Sequence, residues 1–311
     1  MILSVSRRTD IPAFYTEWFM NRIHEKYVLT RNPMNYHQVS RIPITPDVVD
    51  FIVFWSKNPQ PLLPYLDEID RNYPFYFQFT LNPYGQDLEP NLPSQEDRIE
   101  TFRCISERFG KARVIWRYDP IILSEKYDLL WHKQRFERLA DVLAPYTNTC
   151  VFSFVDIYDK NKGNLTTANY MPISIGQEES LAREFSLIAS SHQLKLKTCA
   201  EDINLEHFSI EHSCCIDAAL MEQIIGLKLS AKKDSAQRSQ CHCAESIDIG
   251  QYNTCIHGCK YCYANYSMIN AGNNYAKHDP KSPLLVGSLE IDDKVNDRKV
   301  KSLKQNQFSL F

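Results

Sequence analysis

The chain has no run approaching eighteen consecutive apolar residues, so no segment reads as a transmembrane helix. Its opening residues, MILSVSRRTD, lack a basic stretch followed by an apolar one. No secretion signal is expected there, and the expected location is the cytoplasm, away from membranes. No sign of charge dominates. The 35 Lys and Arg against 38 Asp and Glu leave a net charge of −3, which excludes a global basic field holding the protein on nucleic acid. Any such contact would need a local patch. No repeat of fixed period occurs, which argues against a solenoid.

What remains is a 311-residue chain of ordinary apolar content, long enough for one large core or two modest ones. Its 17 Tyr and 16 Phe read as core and pocket lining. The first two-thirds alternates short apolar runs with longer helical patterns. Strands are expected at 2–6, 50–55, 75–81, 113–118, 150–156 and 195–201, with a weaker one at 214–218 (CCIDA). Their near-continuous apolar character suits strands buried on both faces of a parallel sheet. Helices are expected over 12–26, 59–72, 95–110, 127–146 and 177–193, and Gly110 reads as a helix C-cap. About seven such βα units make a full or partial (β/α) TIM-like barrel the economical α/β architecture, with an open doubly wound sheet as the alternative. The expected division is a barrel over 1–230, a cysteine-rich segment over 231–275 packed on its mouth, and an extended or flexible tail over 276–311.

In barrels the active site lies at the C-terminal ends of the strands. Those ends are polar here: Arg7, Arg8 and Asp10, then Ser56, Lys57 and Asn58, then Thr80 and Asn82, Arg117 and Asp119, Ser153 and Asp156, and Cys199, Glu201 and Asp202. Together they suggest a mixed-charge pocket for a polar ligand. Arg7, Arg8, Asp10, Lys57 and Asn82 are the candidate substrate contacts. Arg117, Asp119, Asp156 and Glu201 are the candidate catalytic groups, and the three carboxylates among them could also serve a hydrolase as acid and base.

Ten cysteines are present, and clustered reduced thiols usually mean metal. Cys104 and Cys150 read as small buried hydrophobes. Cys241, Cys243, Cys255, Cys259 and Cys262 fall within one short segment. The sharpest feature is Cys255-Ile-His-Gly-Cys259-Lys-Tyr-Cys262. Three thiolates on one loop can hold three irons of a four-iron cubane and leave the fourth open to a small molecule. Gly258 would let the backbone turn closely, Tyr261 would shield a cluster face or contact the ligand, and His257 reads as a supporting residue. Zinc is the alternative for the same spacing, with Cys241 and Cys243 as further ligands, and zinc or a cluster could then stabilise a C-terminal cap on a binding module without radical chemistry. Cys241 and Cys243 could instead bind a second metal or cluster with Cys199, Cys214 or Cys215.

This C-x3-C-x-aromatic-C loop resembles the hallmark of the radical S-adenosylmethionine superfamily. The whole chain resembles a bacterial family of unknown function that carries such a loop near its C-terminal end. The matching phrases are SVSRRTDIPAFY, FWSKNP, VIWRYDPI, QRSQCHCAESIDIGQYNTCIHGCKYCYAN and the closing SLF. The resemblance implies that Cys255, Cys259 and Cys262 ligate a 4Fe-4S cluster and that S-adenosylmethionine chelates the fourth iron. It implies that an electron from a reductant such as flavodoxin or ferredoxin cleaves the sulfonium, giving a 5′-deoxyadenosyl radical that takes hydrogen from the substrate. In that superfamily the loop follows the first barrel strand, whereas here it follows the last. The SIDIG run (246–250) is expected to lie beside ILSVS and play the part of the first strand.

The closing residues Gln307 to Phe311 (QFSLF) resemble the short peptide by which bacterial DNA polymerases and repair enzymes dock on the sliding clamp. That likeness implies a DNA or nucleotide-related substrate, with Arg7, Arg8, Lys57 and Arg117 facing phosphates. The alternative is that Leu310 and Phe311 pack on the protein's own surface.

Overall fold

The apolar runs become one parallel sheet in the computed structural model, which describes residues 1–238 and 240–305. In chain order the strands are β1 (Ile2–Val5), β2 (Tyr27–Asn32), β3 (Asn35–Pro43), β4 (Phe51–Ser56), β5 (Phe75–Thr80), β6 (Val114–Ile121), β7 (Thr149–Phe154), β8 (Lys195–Thr198), β9 (Glu211–His212), β10 (Ile247–Asp248) and β11 (Lys294–Asp297). Among the described residues the large sheet has the order β10–β1–β4–β5–β6–β7–β8–β9. Every neighbouring pair in it is parallel.

A full barrel is not formed. The sheet ends at β9 and β10, which do not pair with each other. Each is only two residues long, too little for the staggered pairing that closure requires. The architecture is an open α/β arc. Its topology is nonetheless serial. Read from β10, the other seven strands follow in chain order, and β10 lies beside β1 with Leu3 opposite Ile247 and Ser4 opposite Asp248. The pairing expected for SIDIG is therefore present.

Strand alternation sorts the side chains. Leu3, Val5, Phe54, Phe77, Trp116 and Phe152 point to one face and join the main core. Helices α2 (Thr16–Glu25), α4 (Gln95–Phe109), α5 (Leu129–Leu143) and α7 (Ile175–Ser191) cover that face. Each of the last three starts on a side-chain cap: Ser94, Asp128 and Ser174 accept from the backbone N–H three residues on. Trp116 stacks on Phe136, which stacks on Phe185 at 3.9 Å, tying strand to helix to helix.

Several local expectations are corrected. The helix expected over 12–26 is broken at Tyr15 (φ −132°) into α1 (Ile11–Phe14) and α2. The segment 59–72 splits into a 3-10 helix over Gln60–Tyr65 and α3 (Leu66–Asp70), because Pro61 and Pro64 remove donors from the turn. The strand expected at 214–218 is absent. Asp217 instead caps α8 (Ala218–Ile225) by accepting from Leu220 N. The hairpin β2–β3 and helices α6 (Asp159–Thr167) and α9 (Met268–Ala276) had no clear sequence signal. The tail is extended but anchored through residue 305: β11 pairs with β3, and Trp18 Nε1 donates to Ser282 O at 2.9 Å. The clamp-like peptide Gln307 to Phe311 lies outside the described residues. Among those residues no helix is long and apolar enough to cross a membrane.

Candidate functional site

The second face of the sheet carries Ile2, Phe51, Val53, Tyr76, Ile115 and Val151 toward the strands' N-terminal ends. The same alternation continues into polar residues toward the C-terminal ends, so Gln78, Arg117 and Ser153 share that face. There a cavity of about 440 Å³ opens. It is lined from one side by Arg117, Asp119 and Ser153 and from another by Cys255, Cys259, Cys262 and Tyr261. Cys199, Cys215, Cys241 and Cys243 line it as well.

The cysteine loop reaches this place because β10 aims it there. Asp248, at the end of β10, accepts from Ser4 Oγ (2.8 Å), Ser6 Oγ (2.6 Å) and Arg7 N (2.8 Å). Those bonds lock the last strand onto the end of the first. Gly250 follows, and a Cβ there would lie 2.0 Å from Ser6 Oγ, so only glycine lets the chain pass. Segments that follow three strands, β1, β5 and β7, then hold the cysteine segment. Tyr15 Oη donates to Thr254 O (2.6 Å), Lys260 N to Leu88 O (3.0 Å), Asn161 Nδ2 to Tyr261 O (3.1 Å) and Tyr263 Oη to Arg7 O (2.7 Å). Gly258 takes φ +76°, the tight turn expected between the first two cysteines.

Two buried acids support the loop. Asp10 Oδ2 accepts from Lys57 N and faces His257 Nε2, each at 2.8 Å, while Oδ1 accepts from Ser56 Oγ (2.7 Å) and caps α1. Asp10 thus borders the cavity with its carboxylate already engaged, and it positions His257, which is buried. Glu89 binds Lys57 Nζ (2.9 Å) and accepts from Tyr261 Oη. Lys57 Nζ also donates to Tyr261 Oη at 2.8 Å. Burial works against the Lys57 ammonium, yet Glu89 holds its pKa above the ordinary value. Burial likewise opposes the Glu89 carboxylate, and Lys57 with Arg98 holds its pKa below the usual range.

The three thiols share one environment. Burial raises all of them, Cys255 well above a normal thiol and Cys259 to about 12, and for Cys255 the neighbouring Asp10, Cys262 and Cys259 add to the rise. A cation that binds here must displace their protons. Among the described residues no three His, Cys, Asp or Glu side chains converge closely enough to hold one metal ion. A tetrahedral zinc site needs its ligands on one point. A cluster with one thiolate per iron does not.

The other expected residues divide. Arg117 is buried, donates to Asp119 through Nε (2.9 Å) and Nη2, and reaches Gln78 Oε1 (3.3 Å). Ser153 Oγ donates to the other oxygen of Asp119. Burial would raise the Asp119 carboxyl, but Arg117 and Ser153 keep it below the usual range. Arg7 and Arg8 line the cavity, and among the described residues neither forms a salt bridge. Arg7 lies over Trp55 and Arg8 over Tyr252, at 5.9 and 5.4 Å. Asp156 is exposed and pairs with Arg238 at 2.7 Å.

Two expected residues do not line the cavity. Asn82 is fully buried, donating to Asp119 O (2.9 Å) and accepting from Asp119 N (2.8 Å), so it braces the backbone instead of meeting substrate. Glu201 accepts from Phe154 N at 2.9 Å behind the cavity wall, and burial pushes its pKa to about 8. Glu89 and Asp248 escaped sequence reasoning. Glu89 sits in a Pro- and Gly-rich loop with no periodicity. Asp248 stood out only as an acid inside an apolar run, and its partners lie more than 240 residues earlier.

No curated protein matches the chain. Residues 2–264, which take in all eight strands of the large sheet and the loop from Cys255 to Cys262, match the model of a domain of unknown function (DUF1848), and the chain belongs to that family.

Proposed function

We propose that this protein is an iron–sulfur enzyme of the radical S-adenosylmethionine type acting on a polar, anionic substrate. Cys255, Cys259 and Cys262 would hold three irons of a four-iron cluster, with S-adenosylmethionine on the fourth. When bound, that pair of cofactors supplies reductive cleavage of a sulfonium and abstraction of a hydrogen atom. The observation that carries the reading is the placement of β10. It is the first strand of a serially wound parallel arc, and the loop that leaves it delivers three thiols to the cavity at the strand ends.

The chain's own residues bind, orient and exclude water. Tyr261, fixed through Lys57 and Glu89, walls one side of the cavity. Asp119, held ionised by Arg117, presents a fixed negative group at its floor. Arg7 and Arg8 offer positive charge at its rim, and with Tyr252 beside Arg8 they suit a nucleotide or an extruded DNA base. One-electron supply calls for a small redox partner of the flavodoxin or ferredoxin kind, and the tail peptide for a sliding clamp. The hydrolase reading has less support, because Asp119 is tied down by Arg117 and Ser153 and Glu201 does not face the cavity.

Anaerobically purified protein, reconstituted with iron and sulfide, should be brown and should form 5′-deoxyadenosine from S-adenosylmethionine and dithionite. The Cys259→Ser variant should fall to the level of the protein-free control. A fully loaded cluster that yields no 5′-deoxyadenosine, with or without oligonucleotide or nucleotide, overturns the reading.

A further inference from the structure

Four thiols outside the loop meet across the cavity from it. Cys199 directly follows β8, Cys215 lies between β9 and α8, and Cys241 and Cys243 come from the irregular segment between α8 and β10. Three distant stretches of chain therefore bring sulfur to one place. Cys199 Sγ lies 3.2 Å from Cys215 Sγ. Cys243 lies within electrostatic reach of both Cys215 and Cys241. Cys215 and Cys243 are 4% and 3% exposed, and all four line the cavity.

Thiols are weak donors and acceptors, so a buried row of them gains little from its own hydrogen bonds. Stronger donors aim at the sulfurs instead. Arg117 Nη1 donates to Cys215 Sγ at 2.9 Å, and Ile216 N to Cys243 Sγ at 3.4 Å. Such bonds suit sulfur that carries negative charge, as a metal-bound thiolate does.

We infer that Cys199, Cys215, Cys241 and Cys243 bind a second iron–sulfur cluster. Soft thiolates select iron–sulfur clusters or zinc. All four line one cavity, and four thiolates are the ligand set of a closed polynuclear centre with one thiolate per iron. On binding, the four thiols release four protons, give up their mutual contacts and turn onto separate irons. Four ligands leave no iron open. This centre is closed, whereas the loop from Cys255 to Cys262 supplies only three ligands. Arg117 would link the second cluster to Asp119 at the cavity floor.

The inference shares a cavity with the proposed function but does not depend on S-adenosylmethionine chemistry. The test is metal content in the full chain. A Cys255→Ala/Cys259→Ala/Cys262→Ala variant, reconstituted anaerobically with iron and sulfide, should keep roughly four irons and four sulfides against roughly eight of each in the unaltered chain. It should also give a paramagnetic resonance signal on reduction. Replacing Cys199, Cys215, Cys241 and Cys243 with Ala should remove that half and leave the loop's share. If the fourfold variant does not fold, Cys241→Ser in the loop-less background should alter the signal and lower the iron. Iron-free protein from the loop-less variant overturns the inference. So does uptake of zinc alone when iron and sulfide are offered, or an iron content that Cys241→Ser leaves unchanged.

Discussion

The two faces of the large sheet are built from the same strands and are covered differently. One face meets four helices through Phe54, Phe77, Trp116 and their neighbours, in contacts dominated by apolar packing. The other meets α8 and irregular segments from 213–217 and 229–244, with Cys215 and Cys243 among the apolar residues. Helices can cover a surface of uniform texture because each presents a continuous apolar stripe. Irregular chain cannot, but it can deliver single side chains from remote positions to one point. The helical face is where the fold gains its stability, and the irregular face is where the thiols and polar groups that line the cavity collect.

The contrast can be broken first by truncating the helical face. Phe77 is fully buried and stacks on Phe54 at 4.9 Å. Phe77→Ala should cost about 3–5 kcal/mol in denaturant unfolding, with the surviving folded protein keeping its metal content. Loss of metal at undiminished stability would mean that the division between the faces is wrong.

A second test uses pH. His132 is wholly buried under the helical face, where Tyr118 Oη donates to Nδ1 (2.8 Å) and Nε2 donates to Ile122 O (2.9 Å). Both nitrogens are satisfied in the neutral ring. Burial lowers its pKa to about 4, against 6.5 when unfolded. Between those values the unfolded chain binds more protons, so this contribution to stability is complete above pH 6.5 and is lost as pH falls toward 4. The loss should total about 3 kcal/mol, at about 1.4 kcal/mol per unit. His132→Gln should flatten that part of the stability profile, which chemical denaturation across pH 4–7 would read.

The smallest effect belongs to the irregular face. Tyr76 Oη donates to Cys215 O (2.6 Å) and accepts from Asp217 N (3.0 Å), pinning the cysteine-bearing turn to the sheet. Tyr76→Phe leaves Asp217 N unpaired and Cys215 O with Gln78 Nε2 as its remaining donor (2.9 Å), and should cost about 1–3 kcal/mol. It should disturb iron bound at Cys215 more than iron bound by the loop, as seen by resonance spectra of the two cysteine variants. Equal disturbance of both would show that the turn is not specific to Cys215.

The helical face was legible in the sequence and the irregular face mostly was not. The strands from ILSVS to KLKTC declared themselves because burial on both sides makes a strand uniformly apolar. Gly110 marked a helix end by local chemistry alone. CCIDA looked like a strand because its run is apolar, yet Asp217 could cap a helix and did. The full barrel failed for a length reason that no local pattern carries, since β9 and β10 hold two residues each. At the site, spacing exposed Cys255, Cys259 and Cys262. Glu89 has meaning only through Lys57, Arg98 and Tyr261, which are distant in sequence. The thiols of Cys199 and Cys215 approach each other only after β8 and the turn before α8 are in place.

The junction of β10 with β1 sets a timetable for synthesis. β1 leaves the ribosome some 240 residues before β10, so the outer edge of β1 stays bare while the other strands and their helices fold. Under the proposed function, iron delivery would wait for that late segment and then act on a body already formed. A nascent chain stalled before residue 246 would carry a complete helical layer, an uncovered strand, and none of the three thiols of the loop.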